Sequence, residues 1–121
     1  MKEKQKSEVQ RFKEERESLN EIVMDYGGLE MKRFFNLDTQ VYEEGELSKK
    51  FKEMLGLVAS TVLKCDDCIE YHLINCAEEG VTDDELQEVM SIALVVGGSI
   101  TIPHIRRAFK LWDDIKEGKD E

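Results

Sequence analysis

The sequence contains one proline and three cysteines, and both shortages narrow the classes of protein to which it can belong. The single proline, Pro103, together with weak strand patterns, favours an all-helical fold. Three cysteines are too few for a framework of structural disulfides, and the N-terminal segment has no apolar core of the kind found in secretory signals. We therefore expect a cytoplasmic protein whose cysteines serve redox or metal chemistry.

Long apolar runs and a basic surface are also missing. No apolar run approaches the roughly 20 residues that a membrane-spanning helix requires. The formal net charge is -10, whereas a nucleic-acid-binding protein needs a basic stripe that neutralises phosphates. The same acidic balance disfavours binding to anionic membrane surfaces. We therefore expect partners that are neither nucleic acids nor membranes.

Apolar residues recur at helical spacing along the chain, and this pattern predicts about six helices. A chain of 121 residues can bury one core, so we expect a single domain over residues 1–121, with a helical arm at about 1–45. The first three predicted helices are Ser7 to about Tyr26, about Leu29 to Val41 in one or two pieces, and Ser48, as N-cap, to about Leu63. The others run from Cys65 or Asp66 to Gly80, from a capping box at Thr82 to Gly97, and onward from about Pro103, with a frayed tail from Lys116 to Glu121.

The third predicted helix is apolar on nearly all sides, which places it in the core or in an interface between subunits. A monomer would leave apolar patches larger than monomeric proteins tolerate. We therefore expect a homo-oligomer with closed symmetry.

The stretch from Glu53 to His72 carries the residues with chemical potential. Cys65 and Cys68 form a Cys-x-x-Cys pair at the expected start of the fourth helix, and His72 follows Cys68 by four residues. On a helix this spacing places the imidazole on the same face as the Cys68 thiol. Glu53 lies on the apolar third helix, where a carboxylate would be buried. Alternatively, Glu53 has only a structural role, as an acid on the first turn of that helix near Lys50. Two thiols beside a base indicate redox chemistry.

The reactivity of such thiols depends on their ionisation. A thiol must become a thiolate before it attacks a peroxide or a disulfide, and its ordinary pKa of about 8.5 is too high for this at neutral pH. A helix N-terminus and a protonated histidine lower that pKa, whereas the acids Asp66 and Asp67 would raise it. The second thiol captures a sulfenic acid as a disulfide before it is oxidised further.

The cysteines also allow a metal site or a purely structural role. Zinc accepts ligands such as Cys65, Cys68, His72 and Glu53, but structural zinc sites usually add a second Cys or His pair, which the sequence lacks. In the structural alternative, the cysteines are incidental to function. We expect Cys76 to be a small core residue, although its position four residues beyond His72 also allows a redox role, and His104 to be a capping or surface residue.

The pattern Glu-x11-Cys-x2-Cys-x3-His, followed by an acid-capped helix and a Gly-Gly break, resembles the carboxymuconolactone decarboxylase-like superfamily. Within it, the sequence is similar to the alkylhydroperoxidase D-like branch. The resemblance covers about Leu47 to Phe109 well and the N-terminal arm loosely. It implies an all-α fold, assembly into trimers or hexamers, and a thiol-dependent peroxidase or disulfide reductase that needs no metal or organic cofactor.

The resemblance also implies a role for each site residue. Cys68 would attack the peroxide, Cys65 would be the exposed resolving cysteine, and Glu53 and His72 would form the proton relay that activates Cys68. In the best-described members of the family the residue before the second cysteine is also a relay histidine, whereas here it is Asp67, an acid that favours the protonated thiol.

The expected cycle oxidises the pair with a peroxide or disulfide substrate. An external dithiol, either lipoamide-like or a thioredoxin-like protein, then reduces it again. Two rival functions are a lactone decarboxylase that uses His72 and Glu53 without thiol chemistry, and a zinc-binding scaffold without turnover. The decarboxylases that name the superfamily lack the cysteine pair, which favours the redox function.

Overall fold

The computed structural model describes residues 5–118, and within this range it contains six α-helices and no strand, which confirms the all-α prediction. The helices are α1 (Glu8–Tyr26), α2 (Leu29–Val41), α3 (Lys49–Val62), α4 (Asp66–Glu78), α5 (Asp83–Gly97) and α6 (Ile102–Gly118), with a 3₁₀ turn at Ser99–Thr101 before α6. The chain divides into two compact units, of which the first ends at Glu43 and the second begins at Glu44. The predicted single domain is neither supported nor contradicted by this division, so it stays a prediction.

The first unit consists of α1 and α2. Ser7 caps α1 through a capping box with Gln10, so two N–H groups that the helix leaves unpaired receive acceptors. A Cβ at Gly27 would lie 2.7 Å from the carbonyl oxygen of Val23, so this break between the helices requires glycine. The segment Leu29–Val41 forms one helix and not two. Neither α1 nor α2 has a buried residue, so the apolar stripes of both helices are largely exposed.

The second unit contains the core. Helix α3 packs against α4 and α5, and α4 packs against α6. The largest side chains at their centre are almost fully buried: Leu57, Ile69, Leu73, Leu86 and Met90. Burying a side chain of this size stabilises a fold by roughly 1.5–3 kcal/mol. This packing fixes the position of α4, which carries the cysteine pair.

Helix α3 begins after Ser48, whose hydroxyl accepts a hydrogen bond from the N–H of Phe51. Its buried face carries Glu53 and Leu57, and its other face carries the exposed Phe51 and Leu55. The helix that was predicted to be apolar on nearly all sides therefore has one buried face and one exposed apolar face. Among the described residues, only the face with Glu53 and Leu57 is covered.

The connection between α3 and α4 is short, and it determines where Cys65 lies. Lys64 has a φ of 59°, a left-handed conformation that turns the chain sharply. The N–H of Cys65 then donates to the carbonyl of Ser60 at 3.0 Å. As a result Cys65 is the N-cap residue of α4. The helix ends at Glu78, and Gly80 follows with a φ of 81°, a conformation that glycine adopts without strain.

Helix α5 starts with the predicted capping box, in which Thr82 and Glu85 exchange hydrogen bonds. At its end, a Cβ on Gly97 would lie 2.5 Å from Cγ2 of Thr101, so glycine allows the chain to turn tightly into α6. Pro103 lies in the first turn of α6, as predicted. The predicted fraying from Lys116 is wrong as far as Gly118, because the Lys116 ammonium donates to Asp83 at 2.6 Å and the helix continues. Residues 119–121 lie outside the described residues.

Candidate active site

The centre of the site is a buried pair formed by Glu53 and His72. Nδ1 of His72, on α4, lies 2.8 Å from Oε2 of Glu53, on α3. Glu53 is 1% exposed and His72 is 7% exposed. If Glu53 had only a structural role, Lys50 would be its expected partner at the surface. Lys50 instead pairs with Glu85 at 3.0 Å. The carboxylate is therefore a core residue that reaches the cysteine-bearing helix.

Asn75 donates a further hydrogen bond to the same carboxylate. Its amide Nδ2 donates to Oε2 of Glu53 at 3.3 Å. Asn75 lies three residues after His72 on α4, so both side chains project from one face of the helix. Burying a carboxylate is costly unless hydrogen bonds compensate it, and the contacts with His72 and Asn75 supply that compensation.

The two cysteines of the motif are joined as a disulfide, with their Cα atoms 5.3 Å apart. The backbone N–H of Cys68 also lies 3.2 Å from Sγ of Cys65, because Cys65 caps the helix. Cys68 is exposed and Cys65 is half-buried. The resemblance implies an exposed Cys65, whereas the structure leaves it half-buried, because the N-cap position turns its side chain back onto the first turn of α4.

Cys76, the remaining thiol, is fully buried in the core. Burial, together with the nearby carboxylates of Glu53 and Glu79, raises its pKa from 9.0 to about 12. A thiol in this state is protonated at physiological pH and reacts slowly. The structure thus agrees with the prediction of a small core residue.

Asp66, the residue after Cys65, is tied to α6. One carboxylate oxygen lies 2.7 Å from Nδ1 of His104, and the other accepts from Nε of Arg107 at 3.1 Å. Partial burial works to raise the pKa of Asp66, but the hydrogen bonds from His104 and Arg107 outweigh it, so that the pKa is lowered. His104, predicted to be a capping or surface residue, therefore pairs with the first turn of the cysteine-bearing helix.

A groove of about 420 Å³ opens beside this cluster, between α4 and α6. Its lining is largely apolar, and it also includes the charged or polar side chains of Asp66, Asp67 and Glu70 on α4, and of His104, Arg107 and Lys110 on α6. The groove thus reaches the two residues that lie between the cysteines.

The ligand set considered for zinc is not assembled. Within residues 5–118, no three of the His, Cys, Asp and Glu side chains are grouped so that they could hold a metal ion. Cys65 and Cys68 are bonded to each other, and His72 directs Nδ1 to Glu53. The arrangement suits proton transfer and thiol chemistry better than metal coordination.

Sequence reasoning missed two residues of this region. Asn75 could have been found, because its position on the same helical face as His72 follows from the spacing. Arg107 could not, since it lies 41 positions from Asp66 and meets it only through the packing of α6 on α4.

The fold and the site together define a class: an all-helical protein in which the helix that carries the Cys-x-x-Cys pair also carries a histidine, buried against a glutamate of the preceding helix. The chain belongs to the carboxymuconolactone decarboxylase family, whose family model matches residues 29–111. No helix within the described residues is both long enough and apolar enough to cross a membrane.

Solved structures of the family superimpose on the chain. A carboxymuconolactone decarboxylase family protein from Thermotoga maritima is 55% identical, with a TM-score of 0.87 over 91% of this chain and 93% of its own. A role in the antioxidative response has been suggested for that protein. A family member from Legionella pneumophila is 24% identical, with a TM-score of 0.69 over 88% of this chain and 91% of its own, and it supports the fold alone.

Two curated relatives are uncharacterised. Protein 4 of the cox locus of Paracoccus denitrificans is 27% identical over 82 residues, which cover 68% of this chain and 74% of that protein. A protein of Cupriavidus necator is 25% identical over 101 residues, which cover 78% and 89% respectively. The comparison with these two relatives therefore suggests no activity for the chain.

Proposed function

We propose that the protein is a thiol oxidoreductase that reduces a peroxide or a disulfide through Cys68 and Cys65. The observation that carries the proposal is the buried contact of 2.8 Å between Glu53 and His72, one helical turn beyond Cys68. A carboxylate that receives Nδ1–H leaves Nε2 of the ring as the basic nitrogen. His72 can then accept a proton from Cys68, the thiol four residues before it on the same helix.

The first step oxidises Cys68. Its thiolate attacks one oxygen of the peroxide, so an S–O bond forms, the O–O bond breaks, and the other oxygen leaves as an alcohol or water after taking the proton held by His72. The product is a sulfenic acid on Cys68. The sulfur is oxidised by two electrons, and the peroxide is reduced by the same two.

The second step uses Cys65. Its sulfur attacks the sulfenic sulfur, an S–S bond forms, and the hydroxyl leaves as water with the proton of the Cys65 thiol. The N–H of Cys68, 3.2 Å from Sγ of Cys65, favours ionisation of that sulfur. An external dithiol then reduces the disulfide and is itself oxidised to a disulfide, which restores both thiols.

Three observations support this cycle over its rivals. The two cysteines lie close enough to bond, the third thiol is buried and protonated, and a role in the antioxidative response has been suggested for a 55% identical relative. The reductant is, in this proposal, a lipoamide-like or thioredoxin-like dithiol, and the compartment is the cytoplasm. The cycle requires no metal or organic cofactor.

The exposed apolar surface supports assembly into a homo-oligomer, a trimer or a hexamer. Along one face of α3 and its C-cap, Phe51, Leu55 and Leu63 follow at helical spacing and are 44–77% exposed. Near the end of α5, Val95 is 84% exposed and Val96 is 67% exposed. Contiguous apolar residues of this kind mark surfaces that a partner covers.

A peroxide-consumption assay tests the proposal. The reduced protein is mixed with hydrogen peroxide or cumene hydroperoxide, and dithiothreitol, dihydrolipoamide or a thioredoxin serves as the donor. We expect turnover with at least one donor, its loss in Cys68→Ser, and its retention in Cys76→Ala. Consumption no faster than that of the donor alone, in every combination and with oxidised glutathione as alternative substrate, would contradict the proposal.

The lactone decarboxylase is the second candidate, because the Glu53–His72 pair is formed without either thiol. Alanine at both Cys65 and Cys68 separates the two functions. Decarboxylation of a carboxylated lactone that survives in this double variant would favour the lyase, whereas the redox proposal predicts loss of peroxide and disulfide turnover. Metal analysis of the purified protein tests the scaffold alternative, which requires near-stoichiometric zinc that protects both thiols from alkylation.

A further inference from the structure

The oxygen Oε2 of Glu53 receives two side-chain contacts from α4. Nδ1 of His72 lies at 2.8 Å and Nδ2 of Asn75 at 3.3 Å. The amide nitrogen of asparagine can only donate, so Oε2 acts as the acceptor in its contact with Asn75. The contact between Glu53 and His72 is less defined, because either the ring or the carboxyl group could carry the shared proton.

The Asn75 amide bears on where that proton lies, because it donates to the same carboxylate oxygen. A hydrogen bond donated to a carboxylate stabilises its charged form. Because Glu53 is almost fully buried, water contributes little to this stabilisation, and the amide matters more than it would on the surface. We propose that Asn75 is a positioning residue whose amide holds the Glu53 carboxylate so that the shared proton stays on Nδ1 of His72. This role rests on the proposed function, in which Nε2 of the ring serves Cys68.

The placement of Asn75 is consistent with such a role. It is half-buried on α4, and its amide reaches across to α3, so it binds the two helices at the level of the relay. His72 and Asn75 are three residues apart on one rigid helix, which fixes the angle at which both approach Oε2. Cys68 lies on the same helix, so α4 carries His72, Asn75 and the thiol that His72 serves.

Replacing Asn75 with leucine tests the proposal, because leucine has nearly the same shape and no donor. With Asn75→Leu, the charged carboxylate is less favoured, His72 becomes a weaker base, and the Cys68 thiolate is less stabilised. We expect the midpoint of Cys68 alkylation against pH to rise by about half a pH unit, which lowers the alkylation rate at pH 7 about threefold. The measurement uses a Cys65→Ser, Cys76→Ala background, in which Cys68 is the remaining thiol.

Asn75→Ala separates the donor from packing. If the amide acts by donation, leucine and alanine raise the midpoint equally. A rise with alanine and none with leucine would assign Asn75 a packing role and overturn the proposal. The matched control is Gln87→Leu, which removes a helical amide that donates to Ser91 on its own helix and should leave the midpoint unchanged. Circular dichroism verifies that each variant is folded. If Asn75→Leu does not fold, Asn75→Ala is compared directly with the wild-type protein.

Nitrogen NMR provides a readout that does not depend on turnover. At a pH where the His72 ring is neutral, we expect Nδ1 to carry the proton in the wild-type protein and the two tautomers to mix in Asn75→Leu. Nδ1 without a proton in the wild type, or identical spectra for the two proteins, would overturn the proposal. Absence of peroxide and disulfide turnover in the wild type would instead overturn the proposed function and leave this spectral test intact.

Discussion

Nδ1 of His72 lies 2.8 Å from Oε2 of Glu53, although 19 positions separate the two residues in the sequence. The contact joins α3 to α4 inside the core of the second unit, where both side chains are almost fully buried. A salt bridge between exposed residues would contribute little to stability or chemistry. In the core, the same pair has a defined geometry and little competition from water, so its removal should have a measurable effect.

The first prediction removes the charge of Glu53. Glu53→Gln keeps the size of the side chain and leaves His72 without an anionic partner, so the ring accepts a proton from Cys68 less readily. We expect turnover at neutral pH to fall by roughly the 10²–10⁴-fold that general acid–base assistance contributes. The midpoint of thiol alkylation against pH should rise in parallel.

Glu88→Gln is the matched control for this variant, because Glu88 is exposed on α5. It should retain wild-type turnover and alkylation. Superimposable alkylation curves for wild type and Glu53→Gln, in proteins that fold equally well, would show that Glu53 has no part in activating the thiol.

The second prediction compares the two acids between the cysteines. Asp66 is paired with His104 and Arg107, whereas the described residues include no ion-pair partner for Asp67. Asp66→Asn also removes one negative charge, but Arg107 then loses the partner that holds it beside α4, so movement of this cation away from the helix offsets part of the change. Asp67→Asn removes a negative charge alone, and we expect it to lower the midpoint of thiol alkylation by about half a pH unit. Equal shifts in the two variants would contradict this difference between the acids.

The sequence predicted the local features of the molecule better than its tertiary contacts. Helix bounds follow from caps and apolar periodicity, and Ser48, Thr82 and Gly80 were assigned correctly because their effect is confined to neighbouring residues. The pairing of Glu53 with His72 was also expected, but it came from the family resemblance and not from spacing alone.

Contacts across elements could not be predicted in the same way. His104 and Arg107 meet Asp66 only because α6 packs on α4 at a particular angle, and no periodicity encodes that angle. The half-buried position of Cys65 could not be predicted either, because it depends on the turn at Lys64, whose left-handed backbone is unusual for a residue with a side chain.

The third prediction concerns Cys76, whose pKa is raised to about 12 by burial and by the carboxylates of Glu53 and Glu79. In the folded protein we expect no alkylation of Cys76 below about pH 11, while the unfolded chain reacts from about pH 9. Mass spectrometry after alkylation in buffer and in denaturant measures the difference. Rapid native labelling of Cys76 at pH 8 would contradict the burial of this side chain.

The fourth prediction follows from the same shift and concerns stability. Above pH 9.0 the unfolded chain releases the Cys76 proton, whereas the folded protein retains it up to about pH 12. The unfolded state then binds fewer protons, so the stabilising contribution of Cys76 is fully present below this window and is lost as pH rises through it. In Cys76→Ala this contribution is absent. Between about pH 9 and pH 12, the free energy of unfolding should therefore fall less steeply with pH than in the wild-type protein, by about 1.4 kcal/mol per pH unit. Denaturant titrations at several pH values compare the two slopes, and parallel slopes would contradict the prediction.

The last prediction is that the protein is an oligomer and that the end of α5 lies in its interface. The chain has a mass of 14.0 kDa, and light scattering at micromolar concentration should give three or six times that value. Val95 and Val96 are largely exposed in the single chain, so aspartate at both positions costs the isolated fold little but places two charges in a covered apolar surface. We expect this double variant to be folded and to have a lower mass. Gln87→Asp, an exposed change on the same helix, should leave the mass unchanged. A wild-type particle of 14.0 kDa would refute the assembly, and a folded double variant of unchanged mass would exclude the end of α5 as its interface.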